Sequence, residues 1–209
     1  MIHLRVTAST LGPDDLMPAV SALHQGGVVA FPTETFYGLA VDPRSAAAVQ
    51  KIFQLKRRPP DQPLPLIVCD IDQAVDHVGT LTPLAARLAS RGWPGPLTLI
   101  IAASPHLCAD VHLSTGKVAV RVPADAVARA LARRAGHAIT STSANISGDP
   151  PAATPDRIVA SFGKGIDVLI DSGPTPAGLP STIVDATGSV PVLVRAGAIP
   201  WERVLEFSR

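Results

Sequence analysis

The sequence predicts an α/β or α+β protein, a sheet covered by helices, and three observations predict it. Short runs of Val, Ile, Leu and Ala recur along the chain at strand length. Between several of them lie stretches with helical apolar spacing and helix punctuation. Hydrophobic residues make up 46% of the chain and charged residues 17%, a balance that folds rather than stays disordered.

The elements follow in order. Residues 13–25 read as a helix with Leu16, Val20 and Leu23 on one face, stopped by Gly26-Gly27. VVAFP (28–32) reads as a buried strand. Asp42-Pro43 has the form of an N-cap with proline at the first helical position, and Val49, Ile52 and Phe53 supply that helix's apolar stripe. LPLIVC (64–69) is a strand, and Thr82-Pro83 opens a helix through about Arg91. LTLIIAA (97–103), VAVRV (118–122) and HAITS (137–141) are further strands, with PADAVARALARRAG (123–136) a helix between the last two. IDVLID (166–171), TIVD (182–185) and PVLVR (191–195) complete the strands. The Gly/Pro/Ser stretch 172–181 has linker composition, but too little chain follows it for a second unit, so residues 1–209 are expected to form one domain.

Composition excludes several classes. A formal net charge of +1 argues against coating nucleic acid by bulk electrostatics, though not against a local basic groove. Cys69 and Cys108 form no CxxC pair and read as thiols of a reducing compartment. The N-terminal MIHLRVTAST has no apolar signal core and no run reaches membrane-span length, so a cytoplasmic protein without membrane contact is expected. The Asn145-Ile146-Ser147 sequon is then a chance match. The six histidines lack metal-ligand spacing, so no protein-held metal is expected. Neither a Walker A loop nor a GxSxG elbow is present.

What remains is a set of polar motifs where apolar runs end. Lys56, Arg57 and Arg58 close a helix before Pro59-Pro60; they read either as a solvated helix end or as a point charge plus planar forks suited to polyphosphate. Arg121 lies inside VAVRVP, where a cation needs an anion: a structural pair with an aspartate, or a carboxylate or phosphate clamp. The same choice applies to Arg195 at the end of PVLVR. Hydroxyls at Thr33 and Thr35, at Ser141, Thr142 and Ser143 beside Asn145, and at Ser181 and Thr182 follow or precede strands. They either form turns or line one pocket.

Together, FPTETFYGLA (31–40), K-x-R at Lys56 and Arg58, WPGPLTLI (93–100), VAVRVP (118–123), S-x-S-A-N (141–145), STIVD (181–185) and LVRAG (193–197) resemble the YrdC/TsaC family, in family order over about residues 20–197. The resemblance implies a YrdC-like twisted open mixed sheet flanked by helices, with a concave basic groove. It also implies L-threonylcarbamoyladenylate synthase activity: L-threonine, bicarbonate and ATP, with Mg²⁺ accompanying the nucleotide, give threonylcarbamoyl-AMP and pyrophosphate. Partner proteins then carry the threonylcarbamoyl group to the adenosine beside the anticodon of tRNA, and weak tRNA binding fits the same reading. The chain's length is similar to the short form of the family.

By the same resemblance, Thr35, Arg121, Ser141 and Ser181 would serve L-threonine, with Arg121 on its carboxylate. Lys56, Arg58, Ser143, Asn145 and Arg195 would hold ATP, Lys56 and Arg58 acting catalytically, and Lys117 would contact the nucleotide through its backbone. After Arg58-Pro59 the chain departs from the family's Asn-Pro-Leu-Ile-Val-His run; Gln62 would replace the nucleotide-contacting asparagine, and Cys69 would stand near a histidine that approaches threonine. Two other classes remain: a non-catalytic RNA-binding module, against which the scarcity of aromatics weighs, and a carbamoyl-transfer paralogue acting on another substrate.

Overall fold

The computed structural model describes residues 1–59, 62–112 and 115–209; Pro60 and Asp61, which fall inside the departing run at 60–70, lie outside the described residues. The chain runs β1 (Ile2–Arg5), α1 (Met17–His24), β2 (Val29–Phe31), β3 (Gly38–Ala40), α2 (Ala46–Lys56), β4 (Leu66–Ile67), α3 (Ile71–His77), β5 (Gly79–Thr80) and α4 (Pro83–Gly92). It continues through β6 (Leu97–Ala103), α5 (Ala109–His112), β7 (Lys117–Arg121), α6 (Ala126–Ala135), β8 (Ile139–Thr140), β9 (Thr142–Ser143), α7 (Pro155–Phe162), β10 (Val168–Asp171), β11 (Thr182–Asp185), β12 (Val192–Arg195) and α8 (Trp201–Ser208).

The expected mixed α/β architecture is present, but hydrogen bonding divides the strands into two sheets rather than one. The first has the order β1-β10-β2-β3-β9; the second runs β12-β11-β6-β7-β4-β8, with β5 on β6. Both mix parallel pairs, such as β1 with β10 and β11 with β6, and antiparallel ones, such as β2 with β3 and β6 with β7. Strands β8 and β9 are separated only by Ser141, yet β8 pairs with β4 in one sheet and β9 with β3 in the other. Thr140 ties that junction: its Oγ1 accepts from Val41 N at 2.9 Å and donates to Leu39 O at 3.3 Å, and the residue is fully buried.

Helix punctuation explains the boundaries. Ser45, not Asp42, caps α2, accepting from Ala48 N. The Asp42 carboxylate is engaged instead by Arg44, through its backbone N–H and its guanidinium, so the expected helix start moves three residues on. Thr82, Asp125 and Thr154 cap α4, α6 and α7 through their side chains. Helix α1 begins at Met17, four residues later than its apolar pattern predicts, because Met17 N closes a turn on Asp14 O.

Helices α1 and α6 bury Leu16, Val20, Leu23, Val127 and Leu131 against Val29, Phe31 and Ile170 of the first sheet. Helix α4 sets Leu84 and Leu88 against Leu97, Leu99 and Ile101 of β6, and α8 adds Val204 to that core. The last turn of α8 has carbonyls without intrahelical donors; Arg87 and Arg91 of α4 donate to Ser208 O and Glu206 O at 2.9 and 2.8 Å.

Thr140→Val keeps the shape but leaves the Val41 N–H at the sheet junction without its acceptor. A loss of about 1–3 kcal/mol in unfolding free energy is expected, read as a lowered denaturant midpoint at constant slope.

Candidate active site

The second sheet's strands present alternate faces to two different environments. In β6, Leu97, Leu99 and Ile101 point into the core, while Thr98 and Ile100 line a cleft of about 640 Å³. In β7, Val118 and Val120 face the core, while Ala119 and Arg121 face the cleft. The period-2 pattern therefore places Arg121 on the open side of an otherwise apolar strand. Thr35, Arg58, Ser141, Ser143, Ser181 and Arg195 share the cleft with it.

Arg121 is 8% exposed and its Nη1 donates to Glu34 Oε1 at 2.7 Å. Its partner is thus the glutamate of the FPTET motif rather than an aspartate. Burial lowers the guanidinium's proton affinity, while the charges of Glu34 and Asp125 restore part of it. Thr33 fixes the turn that carries Glu34: its Oγ1 donates to Phe36 O at 2.7 Å and accepts from Thr35 N and Phe36 N. Arg195 reaches back across β11, donating to Ser181 O at 2.8 Å and Ser181 Oγ at 3.0 Å. The Ser181 hydroxyl lies 2.8 Å from that of Thr98. Serine and arginine assigned to different substrates are therefore in direct contact.

Helix α2 ends at Arg57, which takes a left-handed conformation (φ 50°) where glycine is usual. Arg57 N donates to Gln54 O and Arg58 N to Phe53 O, a Schellman closure that turns Arg58 into the cleft before the prolines are reached. Lys56, one residue inside the helix, points elsewhere. It is 1% exposed, and its Nζ donates to Ser143 O, to Asn145 O at 2.7 Å and to Asn145 Oδ1 at 3.2 Å. Ser143 Oγ in turn donates to Asn145 Oδ1 at 2.6 Å, and Asn145 Nδ2 donates to Ile146 O and Asp149 O. Burial, then the charge of Arg58, push the Lys56 ammonium down to about 8; the three oxygens on Nζ act against that shift.

Five expected site residues stand apart from the cleft lining: Lys56 and Asn145, joined to each other behind it, and Cys69, Gln62 and Lys117. Cys69 is buried against α6 and the first sheet's core, its thiol pushed up to about 11 by burial and by Asp70, to which Sγ donates. Gln62 is exposed, and Lys117 directs Nζ to Asp185 at 2.8 Å. Sequence reasoning gave no role to Glu34 and overlooked Thr98. Both had a signal: Thr98 is the polar residue on the open face of LTLIIAA, and Glu34 is the acid nearest the end of a strand beside hydroxyls. Tyr37 also went unread; fully buried, it donates to Gly173 O at 2.7 Å and so fastens the start of the 172–181 segment. Burial raises its hydroxyl to about 12, so it stays a donor.

Guanidinium groups and neutral hydroxyls around one cleft, on a mixed α/β scaffold, are of a kind suited to an anionic ligand. Residues 21–197 match the Sua5/yciO/yrdC family model, described as telomere recombination, and the chain belongs to that family. It is 38% identical over 187 residues to the threonylcarbamoyl-AMP synthase of Bacillus subtilis, covering 89% of this chain and 54% of that protein. The enzyme of the same name from Idiomarina loihiensis is 36% identical, with 82% of this chain and 93% of the relative covered. The crystal structure of Pyrococcus abyssi Sua5 complexed with L-threonine superposes with a TM-score of 0.90 at 34% identity, over 99% of this chain and 60% of that one. The chain spans about half the length of the Bacillus relative and of the Pyrococcus abyssi synthase, at 54% and 55%.

Lys56 gives a pH signature. The native state releases this proton near pH 8 and the unfolded chain near 10.5, so between those values the unfolded state holds more protons and stability rises with pH. Cys69 and Tyr37, whose pKa values are raised, act in the opposite direction at higher pH. The stability difference between wild type and Lys56→Met is therefore expected to move in favour of wild type from about pH 7 to about pH 9, by chemical denaturation.

Proposed function

We propose that the chain is a threonylcarbamoyl-AMP synthase, joining L-threonine, bicarbonate and ATP into threonylcarbamoyl-AMP and pyrophosphate. What carries the reading is the convergence of Thr35, Arg121, Ser141 and Ser181 with Arg58, Ser143 and Arg195 on one cleft. Relatives 38% and 36% identical to the chain bear this activity's name. The reading takes residues 1–209 as one domain and the cleft as the basic groove.

The chemistry is positioning and charge stabilisation. The threonine amine attacks bicarbonate, and loss of water leaves a carbamate. A carbamate oxygen then attacks the α-phosphorus of ATP, the bond to the bridging oxygen breaks, and pyrophosphate leaves with that electron pair. Arg121 holds the threonine carboxylate, with Thr35, Ser141 and Ser181 as hydroxyl partners. Arg58 and Arg195 offset the repulsion between two anions brought together. Lys56 stands behind Arg58 and fixes Ser143 and Asn145, so in this reading its contribution to catalysis runs through that turn. Holding both substrates in one cleft supplies the entropic part of the acceleration. Cys69, Gln62 and Lys117 are not required.

Among the described residues no group of three or more His, Cys, Asp or Glu side chains is placed to hold a metal ion. Mg²⁺ in this reading is carried by the triphosphate and supplies charge neutralisation there. The product is a mixed anhydride, and the reading passes it to transfer proteins acting on tRNA. No helix among the described residues is long and apolar enough to cross a membrane. A purely RNA-binding role fits less well, because the cleft offers few aromatic platforms for stacking.

Pyrophosphate release from ATP that requires both L-threonine and bicarbonate, with serine a poor substitute, is the expected result. Release without either, or none from folded protein, overturns the reading. Arg121→Ala is expected to weaken threonine binding by about thirtyfold or more, equivalent to about 2–5 kcal/mol, in a protein that still binds ATP; calorimetric titration checks both.

A further inference from the structure

The cations in and behind the cleft are not equally compensated. Lys56 and Arg195 donate to neutral oxygens, of Ser143 and Asn145 in one case and of Ser181 in the other. Arg121 is different: Glu34 lies 2.7 Å from it, and the carboxylate of Asp125 acts on it as well. Around that guanidinium, Glu34 is a direct carboxylate partner and Asp125 adds to the negative field.

Glu34 is held for this purpose and little is done to spend its charge. The Thr33 hydroxyl network fixes its turn, and the side chain is 19% exposed. Oε1 takes the Arg121 bond, while Oε2 is buried and has no hydrogen-bond partner among the described residues. A carboxylate oxygen in that position keeps a strong local field, because neither solvent nor a donor screens it. Burial and the neighbouring Glu34 charge both push the Asp125 carboxyl up, a sign that the two acids share one field. Arg195 in turn is lowered by burial and by the charge of Arg121, so without Glu34 the two arginines would merge into one cationic strip.

We propose that Glu34 is a specificity-determining residue, which through its pair with Arg121 keeps this end of the cleft for a zwitterionic amino acid and closes it to polyphosphate. A zwitterion brings an ammonium as well as a carboxylate, so a guanidinium flanked by acids suits it. A polyphosphate brings several negative charges and no cation, and the same acids repel it. The device prevents ATP or pyrophosphate from occupying the amino-acid end, and the inference rests on the synthase reading of the cleft.

The test is L-threonine binding by calorimetry with the full chain, in the presence and absence of inorganic pyrophosphate. In wild type, pyrophosphate is expected to change the threonine Kd by less than about twofold. In the isosteric Glu34→Gln variant it is expected to compete, raising the apparent threonine Kd by about tenfold, and Glu34→Asp, which keeps the charge, should restore discrimination. A merely structural role for Glu34 would weaken threonine binding without creating competition. Competition already present in wild type, or still absent in a folded Glu34→Gln protein, overturns the proposal. Should that variant fail to fold, Asp125→Asn serves instead: its amide oxygen can still cap α6 at Ala128 N, and it is expected to admit pyrophosphate in the same direction. If wild type binds no threonine at all, the synthase reading fails and this inference falls with it.

Discussion

One buried ammonium holds the walls of the cleft together. Lys56 ends α2, and its Nζ gathers the oxygens of Ser143, at the end of β9, and of Asn145 just beyond it. Burying an unpaired ammonium costs several kcal/mol. Three charge-assisted bonds, each contributing about 1.5–3 kcal/mol, offset part of that cost, and the lowered pKa of the ammonium reflects the remainder. Without them the S-x-S-A-N turn would lose its anchor on α2, and Arg58, set by the next residues of the same helix end, would lose its opposite wall.

That arrangement explains why the cleft needs no strong nucleophile. Its polar groups are guanidiniums and hydroxyls, several of them held by neighbours, with the Glu34 carboxylate tethered to Arg121. Ser181 is braced by Thr98 and Arg195, Thr35 by Thr33, and Arg121 by Glu34. Such preorganisation favours a reaction in which charge must be gathered and oriented, with the bonds made and broken between the substrates themselves.

Much of this was legible in the sequence because strand periodicity is local. LTLIIAA and TIVD appear as β6 and β11 with the expected bounds, and the alternation of VAVRV already puts Arg121 opposite the core face. Helix α6 likewise runs between the capping Asp125 and Gly136 that its sequence advertises. What escaped depends on long-range pairing. β1 is a strand through its parallel partner β10, 166 positions away at Ile2 and Val168, and β3 is three residues held between two neighbours. The division into two sheets follows from such pairings and has no local signature. Lys56 was ambiguous for another reason: a cation at a helix end followed by two arginines also fits a solvated terminus, and only the 143–145 segment, far along the chain, distinguishes the two. The glutamate partner of Arg121 was hidden in the same way, 87 residues upstream on a separate motif.

In the proposed function, one cleft takes an amino acid at Arg121 and a nucleoside triphosphate at Arg58 and Arg195. A crystal structure of this chain with L-threonine and a non-hydrolysable ATP analogue tests it most directly. The threonine carboxylate is expected on the Arg121 guanidinium and the phosphates between Arg58 and Arg195, with Lys56 still bound to the 143–145 turn. Threonine elsewhere, or phosphates on Arg121, would contradict it.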